Sequence, residues 1–302
     1  MNNTILFGNG INRLNDNNIS WDKLLNSLMG NRKFSSGDLP NTMVYERIVL
    51  ESPPILGDLT RDEEKTKVKI AKLLRKMSNH DLYNEIYKLN IDHYLTTNYD
   101  FGFLNTIKSN HEISIENEST EKIYSIRRKK VLTNSNSKKY LWHIHGEIER
   151  PPSIMLGLDH YSGSVGKINN YIKGSYNHII NGKEIIEPTI FSKHQNNNFK
   201  NTSWIDQFFN ANVHIIGLTL DYSEIDLWWV LNKRARMLRD PKWKNKLNNK
   251  VVFYTHNIDD ARKGVLIALG VEVQEIVVNG NDKAKYLEFY EKFLTLFKKD
   301  YN

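Results

Sequence analysis

The chain has 302 residues, 39% hydrophobic and 25% charged, with a formal net charge of +7 and no cysteine. This is ordinary globular composition, enough for a sizeable core, and it excludes disulfides, cysteine-ligated zinc and a cysteine nucleophile. No apolar run reaches the roughly 18 residues of a membrane helix, and "MNNTILFGNG" lacks the basic segment of a secretory signal, so a cytoplasmic location is expected.

The first predicted strand, 4–7 (TILF), runs straight into Gly8-Asn9-Gly10. A helix follows at 21–29, with Leu24, Leu25 and Leu28 on one face. From 31 to 90 the pattern is mainly helical. Its clearest stripe is Val68, Ile70, Leu73, Leu74 and Met77 within 64–77. Strand 91–96 leads into "TTNYD" and a possible helix at 101–108. The basic run "RRKK" (127–130) precedes strand 139–144, which ends in "HIHGE". A strand is expected at 153–156 (SIML), then a polar stretch with helix signals from 158 to 210, most polar at 193–203. Strand 213–217 is followed by a helix at 224–238, for which Asp221 and Glu224 have capping-box spacing. Strand 251–255, helix 258–269, strand 271–278 and helix 283–298 complete the chain. The basic runs at 127–130 and 233–246 read first as solvated surface and second as attraction of an anionic ligand. No aromatic-basic motif accompanies them, so direct nucleic-acid binding is not expected.

Short apolar strands alternating with helices predict an α/β fold: a Rossmann-like, mostly parallel sheet with helices on both faces. With no evident linker, residues 1–302 read as one domain carrying helical insertions at about 31–90 and 158–210. In such sheets ligands bind beyond the carboxyl ends of the strands. Gly8, Asn98, Asp100, His145 and Gly217 all fall at predicted carboxyl ends. The glycines suit a backbone approach to a phosphate, or a tight turn with no ligand. Position 13, where the dinucleotide fingerprint has its third glycine, is arginine. Asn98 suits a ligand contact or a helix cap. His145 suits catalysis or a structural hydrogen bond. His143 and His145 would share one face of a strand, which leaves open a metal pair completed by Asp100, Asp159 or His160.

Taken together, "FGNGIN", "TTNYD", "HIHGE" and "IIGLTLDYSEID" resemble the sirtuin superfamily, and most of all the sirtuin-like domains of bacterial anti-phage defence systems. The AbiH abortive-infection family is a second resemblance, through "GNG" and the histidine-glycine station. The sirtuin resemblance implies NAD as substrate. It assigns Gly8, Asn9, Gly10 and Asn12 to cofactor contacts, Asn98 and Asp100 to the ribose pocket, His145 and Asn98 to catalysis, and Gly217 with Thr219 to a later dinucleotide turn. Deacylating sirtuins carry a four-cysteine zinc module, which this chain lacks, and their Gly-Ala-Gly turn reads Gly-Asn-Gly here. The defence-type relatives also lack the module and hydrolyse NAD. The implied activity is therefore an NAD+ glycohydrolase acting by NAD depletion, with no metal and no membrane attachment. Control is expected from homo-oligomerisation or a separately encoded partner such as a HerA-type ATPase. The competing reading is a non-catalytic module that senses NAD or ADP-ribose and gates a partner.

Overall fold

A computed structural model describes residues 1–15, 18–30, 34–51, 59–118, 121, 123–135, 137–243, 246–279 and 282–301. Parts of two expectations, residues 31–33 and 52–58 of the first insertion and residues 244–245 of the second basic run, lie outside these.

The chain runs β1 (Asn3–Phe7), α1 (Trp21–Met29), α2 (Asn41–Leu50), α3 (Leu59–Leu74), α4 (Leu82–Tyr87), β2 (His93–Thr96), α5 (Gly102–Asn110), β3 (Ser114–Glu118), β4 (Lys129–Thr133) and β5 (Lys138–His143). It continues through α6 (Leu158–Lys173), β6 (Asn177–Ile180), β7 (Lys183–Ile186), α7 (Ile190–Gln195), α8 (Ile205–Asn210), β8 (Asn212–Ile216), α9 (Ile225–Leu238), β9 (Val251–Thr255), α10 (Asp260–Ala268), β10 (Glu272–Glu275) and α11 (Asp282–Tyr301). Eight strands form one sheet in the order β10-β9-β8-β1-β2-β5-β4-β3. The six from β10 to β5 are parallel; β4 and β3 extend the edge antiparallel. From β1 the chain winds outward through β2 to β5, then returns to β8 on the other side of β1. The strand order therefore reverses between β1 and β8, which is where open α/β sheets form a crevice.

Strand alternation decides which side chain serves which layer. Leu6, Leu95, Trp142, Val213, Ile215 and Phe253 pack against α6, α8 and α9 on one face. Ile5, Phe7, Tyr94, Leu141, Ile216 and Tyr254 pack against α4, α5 and α11 on the other. Each such buried side chain contributes about 1.5–3 kcal/mol. A third core joins α1, α2 and α3 to Tyr99, Ile148, Ile154 and Leu156. The first insertion is thus a helical cap over the turns that follow β2 and β5.

Three readings change. Residues 153–156 join no sheet: a 3-10 turn over Pro151–Ser153 leads to a buried extended segment. Its backbone is used locally, with Met155 N–H donating to His145 O and Tyr99 Oη donating to Met155 O. The second insertion contains the antiparallel hairpin β6–β7 between its helices. The run Arg127–Lys130 is not solvated surface. Arg127, Arg128 and Lys130 are buried, and Lys130 meets Glu147 at 3.0 Å and Glu149 at 3.2 Å.

Candidate functional site

Four turns meet at the carboxyl ends of β1, β2, β5 and β8. Gly8 N–H donates to Ile216 O at 3.2 Å, and Gly10 N–H donates to Gly217 O at 2.9 Å. A Cβ on Gly10 would lie 2.8 Å from Gly217 Cα and would collide with Tyr290 Oη. The glycines therefore let two loops close on each other, and the Gly10 N–H is spent on that contact rather than offered to a phosphate. Gly10→Ala should accordingly cost about 1–3 kcal/mol through overpacking. A urea titration checks this; an unchanged midpoint would show that the loops can separate without cost.

The turn after β8 is bent by Gly217 (φ 58°) and Leu220 (φ 47°). The second is an unfavourable conformation for a branched side chain, held because Leu220 is fully buried. The predicted capping box does not form. Glu224 occupies the N-cap of α9 without a side-chain cap, and the Asp221 carboxylate accepts from Ser223 N–H at 2.8 Å instead.

This frees Glu224 for a different neighbour. His145 is buried, with Nε2 at 3.0 Å and 3.2 Å from the two Asp226 oxygens and Nδ1 at 3.5 Å from Glu224 Oε2. Its ring meets Tyr161 edge-on. Burial opposes charge on His145, but Asp226 and then Glu224 outweigh it and raise its pKa. Burial pushes Glu224 up to about 7, with His145 opposing and Asp226 and Asp221 adding to the rise. Among the described residues, Glu224 Oε2 has no hydrogen-bond partner.

Both shifts favour proton uptake by the folded state. At these two groups the folded state holds more protons than the unfolded chain, so their contribution to stability falls as pH rises, whereas His143, whose pKa burial lowers to about 4, contributes in the opposite direction. Glu224 alone, moving from 4.5 to about 7, should remove up to about 3 kcal/mol between pH 5 and pH 8. Unfolding titrations at both pH values, with Glu224→Gln beside wild type, check the sign. The stability of the variant minus that of wild type should increase from pH 5 to pH 8, because the histidine contributions are common to both proteins.

A cleft of about 390 Å³ opens at the reversal between β1 and β8. Asn9, Gly10, Gly217 and Thr219 line it, with Glu224, Arg13, Arg262, Trp21, Tyr286 and Tyr290. Arg13, in place of a third glycine, lies over the Tyr286 ring, and Arg262 Nη1 donates to Thr219 O at 2.9 Å. The buried Tyr290 Oη has no hydrogen-bond partner among the described residues. Asn98 and Asp100 line a separate recess of about 20 Å³, room for about one water, which shares Asn9, Ser20 and Trp21 with the cleft.

Asn98 Nδ2 donates to Gly8 O at 3.1 Å. Asp100 accepts from Gly102 N–H at 2.8 Å and Asn12 Nδ2 at 2.9 Å, while Tyr83 Oη donates to Asn12 Oδ1. Burial nevertheless raises the Asp100 pKa above its ordinary value. Asn12 and Asp100 thus tie the turn after β1 to the turn after β2. His145 lines neither recess; Glu224 is the member of its cluster that reaches the cleft. His143 and His145 have separate partners. His143 Nδ1 lies 3.1 Å from Asn98 O, and burial lowers its pKa to about 4. Among the described residues no three His, Asp or Glu side chains form a metal-ligand group, so Asp100, Asp159 and His160 do not complete that pair.

Sequence reasoning misses Glu224, Asp226, Trp21, Arg262 and Tyr290. The first two lie inside "DYSEID", where capping-box spacing suggests a more familiar role. Tyr290 comes from the last helix, and nothing local marks it.

A family model described as a SIR2-like domain matches residues 92–191, from just before β2 into α7. That stretch carries Asn98, Asp100 and His145 and covers 100 of the 302 residues. The chain is similar to such domains over this third of its length. No curated protein matches the chain.

Proposed function

We propose that this chain is an NAD+ glycohydrolase that releases nicotinamide. The observation that carries the reading is the coincidence of two features. The stretch similar to SIR2-like domains supplies Asn98, Asp100 and His145, and the crevice beside them is an aromatic, arginine-bearing cleft of about 390 Å³. That volume is within the usual range for ligand pockets. Tyr290 Oη, without a hydrogen-bond partner among the described residues, and Glu224 Oε2, which has only the 3.5 Å contact with His145 Nδ1 and no hydrogen bond, are polar atoms of the kind a dinucleotide would satisfy.

In this reading the C1′–N bond breaks and nicotinamide leaves as a neutral base with the bonding pair. A water oxygen bonds to C1′, and its proton passes to Glu224. The products are ADP-ribose, nicotinamide and a proton. Glu224, near neutral pKa, suits a general base, and His145 with Asp226 positions it from behind. Asn98 and Asp100 would hold the ribose once the recess widens at Trp21. The leaving group departs uncharged, so the step requires no Lewis acid, and turnover is expected to survive EDTA. Biologically the reading extends to phage defence through NAD depletion, restrained until oligomerisation or a partner such as a HerA-type ATPase releases it.

One observation favours a second reading, a module that senses NAD or ADP-ribose without cleaving it. The recess at Asn98 is only about 20 Å³. Incubating the purified chain with NAD, alone and with the products of neighbouring genes, separates the two. Nicotinamide release supports the hydrolase; saturable NAD binding with no release under either condition supports the sensor.

A further inference from the structure

A second cavity, about 530 Å³, lies among α6, α7, α9 and the 3-10 turn Pro241–Trp243. It is lined by Lys173, Lys233, Arg236 and Lys242, with the Phe191 ring in its wall. Asp240 is the one carboxylate in the lining, and it pairs with Lys242 at 3.4 Å. No residue of this lining belongs to the cleft between β1 and β8.

Helix dipoles explain part of this charge. Lys173 and Arg236 stand in the last turns of α6 and α9, where cations are favourable. Lys233 lies further inside α9, and Lys242 lies beyond it. The dipole accounts for neither. Four cations against one carboxylate around a concavity repel one another, and an anion would relieve that repulsion. The Phe191 ring adds a flat apolar wall. Lys242 and Lys246 stand 5.9 Å and 5.2 Å from its centroid, and the ring packs edge-on against the buried Trp243.

The structure assigns this cavity to a small phosphorylated nucleotide, with Lys173, Lys233, Arg236 and Lys242 on its phosphates and Phe191 against its base. Charge-assisted contacts supply the affinity. The aromatic wall distinguishes a nucleotide from bare polyphosphate. The lining is confined to ten residues of α6, α7, α9 and the turns beside them, which suits a mononucleotide better than a strand, since a strand would need a groove continuing past the site.

ATP is the probe. Calorimetric titration of the full chain should show saturable binding, and Lys233→Glu with Arg236→Glu should weaken it by about tenfold for each charge reversed. Both side chains reach solvent, and circular dichroism checks the fold. The double variant should keep its NAD affinity while losing ATP affinity, which separates this site from the cleft. Phe191→Leu should weaken ATP but leave inorganic tripolyphosphate unchanged. The proposal is overturned if wild type binds no ATP, if the folded double variant keeps full ATP affinity, or if Phe191→Leu affects neither ligand. Tighter binding of a thymidine oligonucleotide, lost in the double variant, would also overturn it, in favour of a nucleic-acid groove.

Discussion

Glu224→Gln should lower nicotinamide release by about 10²–10⁴-fold, the usual contribution of a general base, while the protein stays folded. Glutamine keeps the shape of the side chain at the N-cap of α9 but cannot take a proton. Glu224 is the member of the His145–Asp226–Glu224 cluster that lines the cleft, and burial places its pKa at about 7. Wild-type kcat should therefore rise with pH through this region, and the residual rate of the variant should lose that dependence. KM should change little if the carboxylate acts on water rather than on NAD. Steady-state kinetics between about pH 5.5 and 8.5, spanning the working range of such a base, provide the test. A folded Glu224→Gln protein with wild-type kcat and an unaltered profile would remove Glu224 from the chemistry.

His145→Ala should cost about 3–5 kcal/mol of stability, the range for breaking a buried ion pair by removing one partner. The imidazole separates two buried carboxylates, Asp226 and Glu224. Without it they face each other across a void. Asp226 keeps the Leu227 N–H at 2.9 Å and Ser164 Oγ at 3.4 Å, which compensate only part of its charge. Lost turnover in this variant would thus reflect unfolding as much as chemistry. Adding Asp226→Asn should recover part of the lost stability, because neighbours in one network are not additive. Urea titrations of both single variants and the double variant measure the coupling. A His145→Ala midpoint equal to wild type would mean that water enters and solvates the pair, and the cluster would then be less closed than its burial indicates.

The two effects change how the station residues are assayed. Asn98→Ala removes donors to Gly8 O and the Tyr83 hydroxyl but leaves no charge unpaired. It is the cleaner probe of the ribose recess. His145→Ala is the poorer one, although its sequence signature is the more conspicuous.

Much of the fold is readable in the chain because it rests on local periodicity. The strands from β1 to β9 that form the parallel sheet, and helices such as α1 and α9, follow the apolar spacing to within about a residue or two. Other elements have a local signal that a competing one masks. Asn181-Gly182, both at positive φ, is the two-residue hairpin signal inside a polar stretch whose other signals are helical. Asp226 lies five positions past Asp221, the plausible cap, in a motif that capping already explains.

The remainder depends on neighbours distant in sequence. Lys130 is indistinguishable from a surface lysine until Glu147 arrives from the turn after β5. Gly10 looks like a phosphate-binding glycine until Gly217 and Tyr290 close on it. Alternation and turn chemistry act over a few residues, so the order of residues along the chain suffices for the sheet, its two apolar faces and the polar groups at its carboxyl ends. It does not suffice to show that Glu224 rather than His145 reaches the cleft; that follows from packing. A side chain's protonation and exposure depend on which charges and which low-dielectric walls surround it, and for His145 and Asp226 those come from chain segments about 80 residues apart.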